Sequence, residues 1–155
     1  MLFCTFNVEN LFLSSAPYTF PHKNTDKVKW LAEVIREIDA EVYFLIEVGG
    51  EESLKEFNEV YLDNDYIVSL IKGNSSRGIE IGYLIKKGSS YTFEHLTHRN
   101  RKLGFLYSHE KQENKRLIKE GKKTKHNSHY LSRDIAELRV FGEDKETPKC
   151  IFLGV

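Results

Sequence analysis

The chain has 155 residues, of which 40% are hydrophobic and 12% aromatic. This length and composition are typical of one globular domain, and they exclude a disordered chain or two full-sized domains. The 23 basic and 23 acidic side chains cancel overall, but the local net charge is −6 over residues 1–94, +8 over residues 95–133 and −2 over residues 134–155. The basic segment predicts an anionic partner for one part of the surface.

The first elements are predicted to be a strand and a helix. Residues 2–7 predict a short strand, and a loop containing Pro17 and Pro21 follows it. Helix signals begin at Asn24-Thr25-Asp26, and apolar residues then recur at helical spacing as far as Ile38. The polar residues between them are expected to face outward.

The next stretch predicts the central strand of a sheet. The uninterrupted apolar run Val42–Ile46 is typical of a strand buried on both faces beneath helices. It ends on Glu47, and Gly49-Gly50 then allow the chain to turn sharply. A charge at the end of a buried strand costs free energy unless it is paired, and the crevice beyond strand ends is where open α/β sheets bind ligands. Glu47 is therefore a candidate metal ligand, and a solvated turn carboxylate is the alternative.

The remaining elements are predicted to be mainly strands. A second helix is expected over residues 51–61, and strands are expected over residues 66–71, 79–86, 91–96, 135–141 and 150–155. A turn over residues 73–78 is rich in backbone N–H donors and contains Arg77. Within residues 97–130, only 111–119 predict a short helix, and the rest is expected to be an exposed basic loop. The predicted class is α/β with a mixed sheet.

The cysteines and the chain ends predict a cytoplasmic protein. Cys4 and Cys150 lie in apolar runs, which is typical of reduced, buried thiols, and a disulfide between them is the alternative. No apolar run has the length of a membrane span, and the first residues lack the pattern of a secretion signal. The final run, Cys150–Val155, has a buried-strand pattern with no turn after it, so we expect the chain to be the N-terminal part of a longer domain.

Four stretches are more specific together than any one element. They are F-N-V-E-N-L-F at 6–12, E-V-G-G at 47–50, R-G-I-E-I-G-Y-L at 77–84, and S-R-D-I-A-E-L at 132–138 followed by I-F-L-G-V at 151–155. In this order and spacing they resemble the endonuclease/exonuclease/phosphatase superfamily, which includes the apurinic/apyrimidinic endonucleases and deoxyribonuclease I. The resemblance implies that residues 1–155 are the N-terminal half of a four-layer α/β sandwich, a mixed sheet with helices on its outer face. A basic insertion at about 97–130 lies outside the resemblance.

The resemblance also implies roles for individual residues. Asn7 matches an asparagine that orients the scissile phosphate, and Glu47 matches the glutamate that ligates the divalent metal. Arg133 matches an arginine near the substrate phosphate, while Glu80 matches an acidic residue that supports a catalytic histidine. Arg77 is expected to bind the substrate as well. The implied cofactor is Mg²⁺ or Mn²⁺, and the implied reaction is hydrolysis of a phosphodiester, with a nuclease acting on nucleic acid as the favoured case.

Part of the superfamily pattern is missing from this chain. In the superfamily a histidine follows a strand like 151–155, and an Asp-x-Asn turn and a terminal Asp-His pair come later. Because no histidine here occupies such a position, we expect the isolated chain to lack full activity. Structural alternatives also exist, since Asn7 could bond its own turn, Arg133 could pair with Asp134, and Glu80 could point outward.

Two further features offer other functions. The pairs His95-x-x-His98 and His126-x-x-His129 could form a metal site, which we disfavour because structural zinc sites prefer thiolates or a tighter framework. The basic segment 99–125 could bind nucleic acid or another anion in a non-catalytic module, or could be a solvated loop. Aromatic residues are sparse there, with only Phe105 and Tyr107, so base stacking is not indicated.

Overall fold

The computed structural model describes residues 1–14, 21–124 and 129–155. Within these ranges the chain is a mixed α/β protein with two β-sheets and three α-helices. The elements in chain order are β1 (Phe3–Leu11), α1 (Thr25–Ile38), β2 (Val42–Val48), α2 (Glu51–Glu56) with a π-helical continuation (Phe57–Tyr61), β3 (Tyr66–Leu70), β4 (Glu80–Lys86), β5 (Thr92–Thr97), α3 (Ser108–Lys119), β6 (Ala136–Phe141) and β7 (Cys150–Gly154).

The predicted helices and strands are present, with shifted ends. Strand β1 continues four residues beyond its expected end, and both Val8 and Leu11 in this extension are buried. Helix α3 begins three residues earlier than expected, because the Glu110 carboxylate accepts the backbone N–H of Tyr107 at 2.8 Å and so stabilises the first turn. Pro17, Lys125 and His126 lie outside the described residues.

The first sheet has the strand order β1-β2-β4-β3, with β1 parallel to β2 and the other pairs antiparallel. Helix α1 makes the crossover between the two parallel strands. Its N-cap is the predicted Asn24, whose Oδ1 accepts the N–H groups of Asp26 at 2.8 Å and Lys27 at 3.3 Å. Apolar residues of α1 and α2 pack on one face of this sheet, against Tyr43 and Leu45 of β2.

The second sheet covers the other face of the first. It has the order β5-β6-β7, is antiparallel throughout, and places Ala136 and Leu138 against Phe44 and Tyr83. The prediction that helices cover both faces of the central strand is therefore wrong for one face. An uninterrupted apolar run indicates burial on both faces, but it does not distinguish a covering helix from a covering sheet.

Two smaller predictions can be compared with the structure. Cys4 and Cys150 are unpaired, as expected, but each is only partly buried. Within the described residues, none of the helices combines the length and the apolar character that crossing a membrane requires.

Candidate functional site

The ends of β1 and β2 are distorted at the same level of the sheet. The regular pairing stops at Asn7 opposite Ile46 and resumes at Leu11 opposite Val48, so that three residues of β1 face the single residue Glu47. Glu47 has a φ angle of 68°. This left-handed conformation is unfavourable for a residue with a side chain of this size, and such strain clusters at functional sites. The distortion therefore marks this edge of the sheet as a candidate site.

The glycine pair after β2 is required by the same distortion. A Cβ atom on Gly49 would lie 2.6 Å from the backbone oxygen of Leu11 and 2.5 Å from the Phe12 ring, so only glycine fits here. The N–H of Gly49 donates to Leu11 at 2.9 Å and fixes the close approach. Gly50 then adopts a φ of 95° at the N-cap position, immediately before α2. The predicted sharp turn thus needs glycine for two different reasons: Gly49 has no room for a Cβ atom, and Gly50 has a positive φ angle.

A cleft lies beyond these strand ends, between the two sheets. Glu47 and Glu80 from the first sheet line it, together with Arg133 and Asp134 from the segment that leads into β6. Glu47, Glu80 and Arg133 were all singled out in the sequence. They are separated by 33 and 53 positions along the chain, and all three line this cleft. Most of the other side chains that line the cleft are apolar, and Ile46 is one of them.

Glu47 supplies a carboxylate that is free to bind a ligand. It is partly buried, and no hydrogen bond or ion pair to its carboxylate occurs within the described parts of the chain. Those parts also contain no group of three or more His, Cys, Asp or Glu side chains that could hold a metal ion together. Mg²⁺ needs only one or two carboxylates because it keeps several of its waters. The residues present therefore fit a hydrated hard cation and do not fit a structural zinc ion.

Arg133 and Asp134 do not form the ion pair that the sequence left open. The Asp134 carboxylate is buried, accepts the backbone N–H of His98 at 2.9 Å and also bonds the Thr97 hydroxyl. Arg133 is exposed and has no hydrogen-bond or ion-pair partner among residues 1–14, 21–124 and 129–155. Within the described parts of the chain, neither the Arg133 guanidinium nor the Glu47 carboxylate at this cleft has an ion-pair partner, and the two do not pair with each other.

Glu80 is buried, so the outward-facing alternative for this residue is wrong. Its side chain accepts the N–H of Gly73 at 2.8 Å, and the residue is 8% exposed. Burial raises the pKa of Glu80, with a smaller contribution from the charge of Asp134, while the Gly73 bond and the nearby Lys72 oppose the shift. The protein therefore holds a carboxyl group at the cleft at a cost to its own stability.

We expect Glu80→Gln to stabilise the protein at neutral pH, because the amide oxygen can keep the Gly73 bond while the buried charge is removed. Folding raises the pKa of Glu80 above its ordinary value of 4.5. The parent therefore loses stability as the pH rises through the interval above 4.5. Urea unfolding should show no advantage of the variant at about pH 4 and a clear advantage at about pH 7. An advantage that is independent of pH would contradict the assignment.

Asn7 and Arg77 lie near the cleft but do not line it. The Oδ1 atom of Asn7 accepts the N–H of Glu9 at 2.9 Å, which is the local bond that the sequence left as the alternative. Asn7 is exposed in an adjacent groove beside α1. Arg77 donates to the Asn10 side chain at 3.3 Å and thereby connects the 73–78 turn to the end of β1.

Lys23 was not identified in the sequence. Its side chain is only 9% exposed, and its Nζ donates to the backbone oxygen of Glu9 at 3.1 Å. Burial lowers the pKa of Lys23, and the charges of Glu9 and Glu47 oppose this shift. Lys23 and Glu47 line another groove, which is distinct from the groove that contains Asn7. Glu47 therefore lies where this other groove and the cleft meet. The only local signal was a basic residue immediately before the N-cap Asn24.

The structure also bears on the histidine pairs. Three of the four histidines in these pairs are described, and each bonds a different side chain. His95 bonds Ser69 at 2.9 Å, His98 bonds Glu137 at 2.7 Å and His129 bonds Glu110 at 2.7 Å. His126, the fourth member of the proposed set, is not among the described residues. These separate partners favour structural roles for the three.

The chain matches no protein-family model and no curated protein. The superfamily resemblance therefore stays a prediction that depends on the four sequence stretches themselves.

Proposed function

We propose that this chain carries the metal- and phosphate-binding part of a divalent-metal-dependent phosphodiesterase, with nucleic acid as the favoured substrate. The observation that carries the proposal is that one cleft holds two opposite charges, neither of which has an ion-pair partner among the residues that the structure describes. Glu47 offers a carboxylate to a cation, and Arg133 offers a guanidinium to an anion. A metal ion with a phosphate bound to it satisfies both groups at once, whereas a ligand of either sign alone leaves one charge without a partner.

The chemistry divides among the residues as follows. Glu47 would hold Mg²⁺ or Mn²⁺, which when bound withdraws charge from a phosphoryl oxygen and stabilises the leaving oxygen. Arg133 would bind the phosphate through two parallel N–H donors. Asn7, which is exposed in the adjacent groove, would add a neutral donor from β1 through its amide nitrogen. Glu80, whose pKa is raised by burial, would hold a proton or orient a neighbouring base.

The resemblance to the endonuclease/exonuclease/phosphatase superfamily supports the same reaction. It also implies the four-layer arrangement, of which two packed sheets and one helical layer would form three layers. Under this proposal Arg77, which contacts the end of β1, assists substrate binding from the rim. The histidine and the Asp-x-Asn turn that the superfamily uses for water activation are not among the motifs of this chain.

Metal binding by the chain itself tests the proposal. We expect the chain to bind Mn²⁺, as measured by electron paramagnetic resonance, and Glu47→Gln to weaken the affinity about tenfold or more. Glu33→Gln is the matched control, because Glu33 is exposed on α1 and its replacement removes the same charge. Equal affinities of the two variants, or no binding by the parent, would reject the metal site.

Hydrolysis provides the second readout. The longest continuous reading frame that contains these residues is assayed with Mg²⁺ and a generic phosphodiester. Glu47→Gln is expected to lower the rate about 100-fold or more, because the charge stabilisation by the metal is lost. A rate that Glu47→Gln leaves intact would show that the reaction, if present, does not use this cleft.

A further inference from the structure

The basic residues 95–133 include a group of aromatic rings that the sequence alone did not reveal. Phe105 and His129 stack with their centroids 5.3 Å apart, and Tyr107 meets both rings edge to face at 5.1 and 4.8 Å. His109 stacks on Tyr107, with the ring centroids 5.8 Å apart. We call these four residues the ring cluster. The expectation that rings here are too sparse for stacking overlooked the two histidines, one of which is 24 positions away from Phe105.

The ring cluster is held in place and yet accessible. The His129 ring bonds the buried Glu110 carboxylate at 2.7 Å, and the backbone oxygen of His129 accepts the N–H of Leu103 at 2.8 Å. These bonds connect the two segments that contribute the rings. Phe105 is nevertheless 43% exposed and Tyr107 51% exposed. Exposed rings that are already ordered lose little entropy when a planar ligand stacks on them.

A row of cations leads away from the ring cluster along α3. Lys111, Lys115 and Lys119 recur every four residues, so they lie on one face of the helix about 6 Å apart. All three are exposed, and none forms an ion pair with the residues that the structure describes. The ion pairs of the nearby acidic residues are made with other side chains: Glu113 of α3 and Glu120 just after it pair with Arg116, and Glu110 bonds His129.

We propose that the ring cluster and the lysine row of α3 form a binding surface for single-stranded nucleic acid. Rings stack on bases of any sequence, and regularly spaced lysines bind the successive phosphates of an extended strand. A duplex keeps its bases stacked on one another and would engage the lysines only. This surface lies outside the cleft and does not depend on the activity proposed for it.

The test measures the affinity of the chain for a labelled oligothymidylate by fluorescence anisotropy, in EDTA so that hydrolysis is excluded. We expect binding that weakens steeply with salt. The double variant Phe105→Leu/Tyr107→Leu should weaken binding of the single strand about tenfold or more and leave binding of a duplex of equal length nearly unchanged. A flat salt response, or an equal affinity of the ring variant and the parent for the single strand, would overturn the proposal.

A charge control completes the design. Lys111→Gln/Lys115→Gln should weaken binding of the single strand and reduce its salt dependence, whereas Lys29→Gln/Lys145→Gln, which removes two exposed charges elsewhere, should do neither. Circular dichroism verifies that every variant is folded, which is expected because all the replaced side chains are exposed. Equal losses in the two lysine variants would reduce the effect to overall charge and reject the surface.

Discussion

Replacing Tyr83 with alanine is expected to lower the free energy of unfolding by about 4 kcal/mol. Tyr83 has no exposed surface, and its ring packs between the two sheets. The centroid of the Tyr83 ring lies 5.3 Å from the centroid of the Phe44 ring and 4.8 Å from that of the His95 ring. Its hydroxyl donates to the backbone oxygen of Ala136 at 3.2 Å. The alanine variant removes the buried ring, leaves a cavity and loses this bond. The expected loss is a large fraction of the stability of an ordinary domain, which is about 5–15 kcal/mol.

Urea unfolding followed by circular dichroism measures this loss, and two further variants divide it into parts. Tyr83→Phe removes only the hydroxyl and is expected to cost about 1 kcal/mol. Tyr130→Ala removes a ring that is 46% exposed and should change the stability by no more than about 0.5 kcal/mol. If Tyr83→Ala were no worse than Tyr83→Phe, the ring would not be a part of the contact between the sheets. Because the walls of the cleft belong to different sheets, that result would also remove the support for its shape.

Replacing Asn58 with aspartate is expected to cost about 3 kcal/mol at neutral pH. Asn58 is 3% exposed and joins the π-helical turn to the start of β3. Its amide nitrogen donates to Asn64 Oδ1 at 3.0 Å and to the backbone oxygen of Tyr66 at 2.9 Å, while its Oδ1 accepts the N–H of Tyr66 at 3.2 Å. Aspartate keeps the acceptor but directs a buried, charged oxygen at two other oxygens.

The same substitution should be less harmful in acid, because a protonated carboxyl can donate one of the two lost bonds. Urea unfolding at about pH 4 and about pH 7 would measure this difference. Asn64→Asp is the matched control. It introduces the same charge at the exposed partner, keeps the oxygen that accepts from Asn58, and should alter the stability by about 0.5 kcal/mol or less. A cost at Asn58 that matches the cost at Asn64 would show that the donor role has been misassigned.

Local sequence patterns predicted the elements of this fold well. The N-cap Asn24 and the helical spacing after it depend on contacts within a few residues, and the structure contains α1 as expected. The apolar run that ends on Glu47 predicted the central strand for the same reason. The start of α3, whose first turn is stabilised by Glu110, was predicted three residues too late. Because that carboxylate also bonds His129, 19 positions away, the periodicity of α3 alone could not show its full length.

The sequence likewise identified some residues of the candidate site and missed others. Glu47 was identified from its place at the end of a buried run, and Glu80 and Arg133 only from the superfamily resemblance, since their own neighbourhoods left structural alternatives open. Lys23 was missed because its burial and its proximity to Glu47 arise when α1 packs beside the strand ends. No pattern within a few residues of Lys23 records that packing.

The sequence by itself determined which segments become helix or strand and where a carboxylate ends the central strand. It did so because backbone propensity, capping and the alternation of apolar residues act over a few neighbouring positions. Only the tertiary structure decided that a second sheet covers one face, that Glu47 and Arg133 line one cleft without pairing, and that the distant His129 completes a ring cluster. These features join residues that are far apart in the chain, and their contacts form only when the whole core packs.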